Sequence, residues 1–199
     1  GEKYLRTLEH LGSGSLISDV SQYTLNNLQK SYAQLDQGTV EQIVDILLRS
    51  DRKYIAGFRG TACCAQYMAS KLLFLTPHVV PILHADATAV ENLLDITERD
   101  CLFLYSFPRY SEIARPLMEI ARESGAKVIL MTDRRTSPLA NKADVVVTAQ
   151  VDGLGFTNSY VAPLSLSEVI LLSVSGRKDV KDSKRFNRID SVMEREKLY

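Results

Sequence analysis

Two short segments hold most of the side chains able to grip a small charged molecule. The first, Gly57-Phe58-Arg59-Gly60-Thr61, sets two glycines, a guanidinium and a hydroxyl directly ahead of a helical pattern. Glycine lets backbone N–H groups approach an anion, and a helix amino terminus adds unpaired donors and a partial positive charge. The segment has neither GxGxxG nor a GxxxxGK followed by Ser or Thr, so it does not mark a dinucleotide or nucleoside triphosphate site. A plain strand-to-helix turn capped by Thr61 would use the same residues. The second segment, Ser106-Phe107-Pro108-Arg109-Tyr110-Ser111, brings two hydroxyls, a phenol and a second guanidinium together. Its plainer reading makes Ser111 a helix cap and Arg109 a surface cation. Arginine suits planar, two-pronged contact with phosphate or carboxylate, and each hydrogen bond to a charged group contributes about 1.5–3 kcal/mol. Four or five such contacts suffice for roughly micromolar affinity after the costs of association.

These segments matter only if the fold brings them together, and the apolar pattern predicts that it does. Continuous apolar runs at Lys53–Phe58, His78–Leu83, Cys101–Tyr105, Lys127–Met131 and Asp144–Thr148 read as strands of a parallel sheet covered on both faces. Helical patterns lie between them at Ala62–Leu75, Thr88–Asp95 and Ser111–Ser124, with a short turn at Pro138–Asn141 that Ser137 would cap, and an apolar helix follows from about Asn158 to Val174. Ahead of the strands, apolar residues at spacings of three and four predict an amphipathic helix over Leu16–Leu35 with Gly38 as its stop. A second helix would run from Thr39, its candidate N-cap, to about Arg49. Repeated β-α units require a doubly wound α/β fold: a three-layer αβα sandwich on a five-stranded parallel sheet, order 2-1-3-4-5. In that order ligands bind at the carboxyl ends of the first and third strands. Arg59, Gly60, Thr61, Ser106, Arg109, Tyr110 and Ser111 would line one crevice there, with Thr132 nearby at the end of the fourth strand.

Composition narrows the partners. The 199 residues carry 24 basic and 24 acidic side chains, so no global positive field holds this chain on nucleic acid. Cys63, Cys64 and Cys101 have no metal-ligand or CxxC spacing and read as small buried hydrophobes of a reducing cytosol, without metal or disulfide. No apolar run reaches membrane-spanning length, and no secretory signal pattern opens the chain. The expectation is a cytoplasmic protein needing no cofactor. Gly1 rather than Met at the start suggests a natural beginning further upstream.

The residues of the two loops resemble the SIS (sugar isomerase) domain, over about residues 37 to 174. In that family a Gly-rich loop ending in Ser or Thr follows the first strand, and a Ser-x-Ser-Gly-x-Thr loop follows the third. Gly57 and Thr61 match the first loop, and Ser106 and Ser111 the outer hydroxyls of the second. The departures are Arg59, where a second glycine is usual, and Pro108-Arg109 in place of the inner Ser-Gly. The strings Ser-Phe-Pro-Arg-Tyr-Ser, Val128–Asp133 and Ser137-Pro138-Leu139-Ala140 are similar to those of RpiR-type transcription regulators. The resemblance implies an effector domain over 37–175, preceded by a linker and helix over 1–36 and followed by a charged segment over 176–199. It implies a phosphorylated or acidic sugar as effector, and DNA contact only through a helix-turn-helix domain absent from this chain. It also implies assembly into dimers or tetramers, with the Leu16–Leu35 and Asn158–Val174 helices as candidate interfaces or core. The competing expectation is an active sugar-phosphate isomerase or lyase on the same fold, for which His84 and Glu168 are the candidate bases. A nucleotide-binding oxidoreductase would need the missing glycine fingerprint.

Overall fold

Five of the apolar runs become strands: β1 (Lys53–Gly57), β2 (Val79–Ile82), β3 (Cys101–Tyr105), β4 (Lys127–Thr132) and β5 (Val145–Thr148). In the computed structural model, which describes residues 16–155, 157–181 and 184–197, they form one sheet in the order β2-β1-β3-β4-β5, every pair parallel. The polar stretch 1–12, with the glycines that punctuate it, lies outside the described residues. Eight α-helices are described: α1 (Leu16–Gln34), α2 (Gln37–Arg49), α3 (Ala62–Leu75), α4 (Ala87–Glu91), α5 (Ala114–Glu123), α6 (Val161–Ser175), α7 (Lys178–Lys181) and α8 (Lys184–Arg195).

The continuous apolar strands are explained by two cores, one on each face of the sheet. Ile55, Phe103, Tyr105, Ile129 and Met131 pack with α2, α3 and α6. Their neighbours in sequence, Tyr54, Ala56, Leu102, Leu104, Val128 and Leu130, point the other way onto α4 and α5. Each fully buried Leu or Ile side chain contributes about 1.5–3 kcal/mol. The three-layer architecture is therefore the one the pattern predicts. Pro81 sits on β2, an edge strand, where its missing N–H costs the sheet nothing it needs.

Several boundaries differ from expectation for local reasons. The N-cap of α2 is Asp36, not Thr39: the Asp36 carboxylate accepts from Thr39 N at 2.8 Å and from Thr39 Oγ1 at 2.7 Å, which holds its pKa below the ordinary value. Gly38 consequently lies inside the first turn of α2 and does not stop α1. The helix expected from Asn158 begins at Val161, because Pro163 belongs to its first turn, where the ring is tolerated. The turn expected at Pro138–Asn141 is a single 3-10 turn at Ala140–Lys142. Ser137 does not cap it with its side chain, which is buried without a hydrogen-bond partner among the described residues.

The larger surprise is the orientation of α1. Its only fully buried residues are the polar Asn27 and Ser31, while Ile17, Val20, Tyr23, Leu25 and Tyr32 are exposed. The helix is amphipathic as predicted, but it turns its apolar stripe outward.

Candidate functional site

The register of the sheet builds the site. Gly57 stands opposite Tyr105, so the chain leaves β1 and β3 at the same level and the next residues, Phe58 and Ser106, start side by side. The crevice between them is a cavity of about 180 Å³ lined by residues 58–61, Tyr105–Arg109, Ser111, Thr157 and Tyr160. At roughly 30 Å³ per water this is the space of about six waters, which suits a compact anionic group and not an enclosed dinucleotide. Among the described lining residues there is no Asp, Glu or His.

Both arginines reach the crevice from strained backbone. Arg59 has φ 56° and Arg109 φ 67°, the left-handed region that glycine occupies without cost. With a Cβ each position costs about 1–2 kcal/mol. Such strain gathers at functional sites, where the surrounding structure over-determines it. Arg59 is exposed; Arg109 is exposed as well and lies near Tyr160, whose phenol is pushed above its ordinary pKa by burial.

The hydroxyls divide into those already engaged and those that are open. Thr61 Oγ1 accepts from Phe58 N at 2.8 Å and donates to Phe58 O at 2.9 Å, so it ties the first loop shut. Ser106 Oγ is buried, borders the cavity and has no hydrogen-bond partner among the described residues. A buried polar atom left so costs about 1–3 kcal/mol. Ser111 also lines the cavity. It does not cap α5 with its hydroxyl, since the cap residue is Ile113 and Ser111 contributes only its carbonyl, to Ala114 N at 3.1 Å.

Two of the sequence candidates stand behind the crevice. Tyr110 turns its phenol away and donates to Asp133 Oδ1 at 2.7 Å; burial, then this bond, pushes its pKa up to about 12. Thr132 is fully buried and donates to the same carboxylate oxygen at 3.2 Å. Together they fasten the second loop to the end of β4. Neither lines the cavity. His84 is exposed beyond β2, and Glu168 sits half-buried two turns into α6; neither lines it. Of the cysteines, Cys64 and Cys101 are buried, with burial raising the Cys101 thiol to about 11. Cys63 is exposed instead, its thiol on Gly60 O at 3.1 Å, because it falls on the outer side of α3.

Sequence reasoning missed the wall supplied by residues 157–160. Tyr160 lies against Gly60 so closely that a Cβ there would stand 2.8 Å from its ring, and its centroid is 6.0 Å from that of Phe107. Asn158 Nδ2 donates to Pro108 O at 3.2 Å, pinning this segment onto the second loop. Pro163 was the available signal: it places the helix start after Tyr160 and so leaves 157–160 as loop beside the strand ends. Gly57 also has a geometric reason, since a Cβ would lie 2.5 Å from Thr61 O.

A wider depression of about 540 Å³ opens at the opposite, amino-terminal edge of the sheet. Its main polar groups are already paired. Asp100 accepts from Arg52 N, Thr97 N and Thr97 Oγ1, Arg99 meets Asp51 at 3.2 Å, and Lys53, its pKa lowered by burial, donates to Asp51 O and Pro77 O. Volume is thus a poorer guide than open polar groups. Among the described residues no group of His, Cys, Asp and Glu could hold a metal ion, and no helix is long and apolar enough to cross a membrane.

Comparison with known proteins bears on the fold and the family. None of the curated protein sequences matches the chain. Among solved structures, the sugar isomerase domain of an RpiR transcription factor from Sphaerobacter thermophilus superposes with a TM-score of 0.84 at 22% identity, covering 91% of this chain and 99% of that one. The Vibrio vulnificus NanR protein complexed with ManNAc-6P gives 0.77 at 16% identity, over 94% of this chain and 72% of that one. A Methanococcus jannaschii protein whose structure infers 3-hexulose-6-phosphate isomerase function gives 0.67 at 14% identity, over 87% and 96%. These likenesses establish the shared fold. The sequence model of the SIS domain matches residues 46–173, which takes in every strand and both crevice loops, and the chain belongs to the SIS domain family.

Proposed function

We propose that this chain is the effector-sensing domain of a transcription regulator, with the binding unit running over residues 37–175. The carrying observation is a crevice that, among the described residues, has no carboxylate in its lining and holds two arginines in left-handed backbone beside the buried hydroxyl of Ser106, which has no partner there. The effector is a phosphorylated or acidic sugar. Its anionic group lies between Arg59, Gly60, Ser106, Arg109 and Ser111, with Thr61, Tyr110 and Thr132 holding the loops that present them. Affinity for the effector differs between two arrangements of the protein, and DNA binding by a helix-turn-helix domain follows by linkage. The likeness to an RpiR transcription factor and to NanR with its phosphosugar supports this reading.

A second reading, sugar-phosphate isomerisation, has the likeness to the Methanococcus jannaschii protein in its favour. It needs a base beside the sugar carbonyl, and the described residues lining the crevice supply none. Thermal-shift measurements with N-acetylmannosamine 6-phosphate, other hexose and pentose phosphates and sugar acids test the two together. At a hundredfold excess over Kd a ligand adds about 2.7 kcal/mol, or a rise in Tm of roughly 5–10 °C for a domain of this size. Arg109→Ala should abolish the shift, and equal shifts in wild type and variant would remove the crevice from the account. Appearance of an isomeric product in the same samples would favour the enzyme.

A further inference from the structure

The crevice wall at 157–160 and the polar seat of α1 are two ends of one segment. Immediately after β5, Thr148 Oγ1 donates to Gln34 Oε1 at 2.5 Å, Gln150 N donates to Ser31 Oγ at 2.8 Å, and Asn27 Nδ2 donates to Asp152 O at 2.6 Å. Ser31 Oγ completes the seat by donating to Asn27 O at 2.6 Å. Two of the α1 side chains in these bonds, Asn27 and Ser31, are its buried residues, and the third, Gln34, lies at its exposed carboxyl end. The same segment then folds back, Ser159 N donating to Val151 O at 3.0 Å, and delivers Thr157 and Tyr160 to the crevice with Asn158 fastened to Pro108 O. The Ser159–Val151 bond thus ties the residues flanking Asn158 and Tyr160 to the neighbour of Asp152 and Gln150, the groups on which α1 rests.

The character of the seat is what makes it switchable. Hydrogen bonds can be exchanged for water at small net cost, whereas apolar burial resists separation in proportion to the area exposed. On α1 that usual arrangement is inverted: the stripe that could have been buried faces solvent, and the buried residues are Asn27 and Ser31. α1 also packs along α6, where Tyr32 OH and Ser165 Oγ lie 2.7 Å apart.

We propose that residues 148–155 and 157–160 couple occupancy of the crevice to the seating of α1, so that an anion held against Thr157 and Tyr160 fixes the helix and an empty crevice lets it lift. This rests on the crevice being the binding site. Coupling is reciprocal: changes at Asn27 and Ser31, which do not line the cavity, alter affinity for the ligand.

Hydrogen exchange read by mass spectrometry tests this on the whole chain with N-acetylmannosamine 6-phosphate and ribose 5-phosphate as probes. Bound probe should slow exchange in loops 58–61 and 106–111 and, by at least threefold, in 16–34. The double variant Asn27→Ala with Ser31→Ala, its fold checked by circular dichroism, should exchange faster over 16–34 and bind about fivefold to thirtyfold more weakly, a coupling of about 1–2 kcal/mol. Asn158→Ala, which frees the other end, should speed exchange over 16–34 without any probe. Protection of the two loops with α1 unchanged would overturn the coupling and leave the binding reading intact. Absence of protection at the loops with both probes would overturn the crevice assignment and the coupling with it.

Discussion

At the scale of single residues, Arg59 and Arg109 are the positions where stability and recognition pull apart. Each holds a side chain in backbone that favours glycine, at about 1–2 kcal/mol. Glycine would relieve that strain while adding about 0.5–1 kcal/mol of chain entropy to the unfolded state. Arg59→Gly and Arg109→Gly should accordingly raise stability by about 0.5–1 kcal/mol, a Tm gain of roughly 1–4 °C by calorimetry, and lose sugar-phosphate binding. A fall in Tm would mean that the guanidiniums support the fold rather than the ligand. Ser106 follows the same logic with a different atom. Its hydroxyl is buried and unpaired, so Ser106→Ala should leave urea unfolding unchanged or stabilised by up to about 1 kcal/mol, yet weaken binding tenfold or more. These residue types were legible in the sequence, because glycine-rich turns with hydroxyls and arginines point to anions whatever their surroundings. Their division of labour was not. Nothing in the order of residues says that Thr61 spends its hydroxyl on Phe58 or that Tyr110 turns to Asp133.

At the scale of elements, the turn from β1 into α3 sets the geometry of the first loop. A Cβ on Gly57 would come within 2.5 Å of the Thr61 carbonyl and 3.0 Å of the Ala65 Cβ, both fixed by the helix. Gly57→Ala should cost about 2–3 kcal/mol, read as a Tm lower by roughly 4–12 °C, with affinity reduced as the loop shifts. An unchanged Tm would mean that the turn is softer than its packing indicates. The strands were legible because burial on both faces demands continuous apolar runs, and Cys101–Tyr105 is found at the expected bounds. Helix α1 shows the limit of such reasoning. Spacing of three and four predicts a stripe but not which way it faces, and here the partners of Asn27 and Ser31 lie more than a hundred residues away. Long-range polar contacts of this kind leave no local periodicity. Tyr160 was hidden for a related reason, since only the packing of α6 on α3 brings residue 160 against residue 60.

At the scale of the whole molecule, zero net charge with two arginines lining the crevice fits the proposed reading of a small anion, with no global field to attract polyanions. The two-faced core buries the sheet on both sides, and the crevice at its carboxyl edge is lined mostly by the turns that follow its strands, where small displacements are cheapest. That division suits a sensor. The most direct measurement is isothermal titration of the wild type and of Arg109→Ala with N-acetylmannosamine 6-phosphate and a panel of hexose and pentose phosphates, each paired with its unphosphorylated sugar. Saturable binding of at least one phosphate by the wild type is expected, with none of its dephosphorylated partner and a loss of tenfold or more in the variant. Binding that ignores the phosphate, or that survives Arg109→Ala unchanged, would contradict the proposed reading.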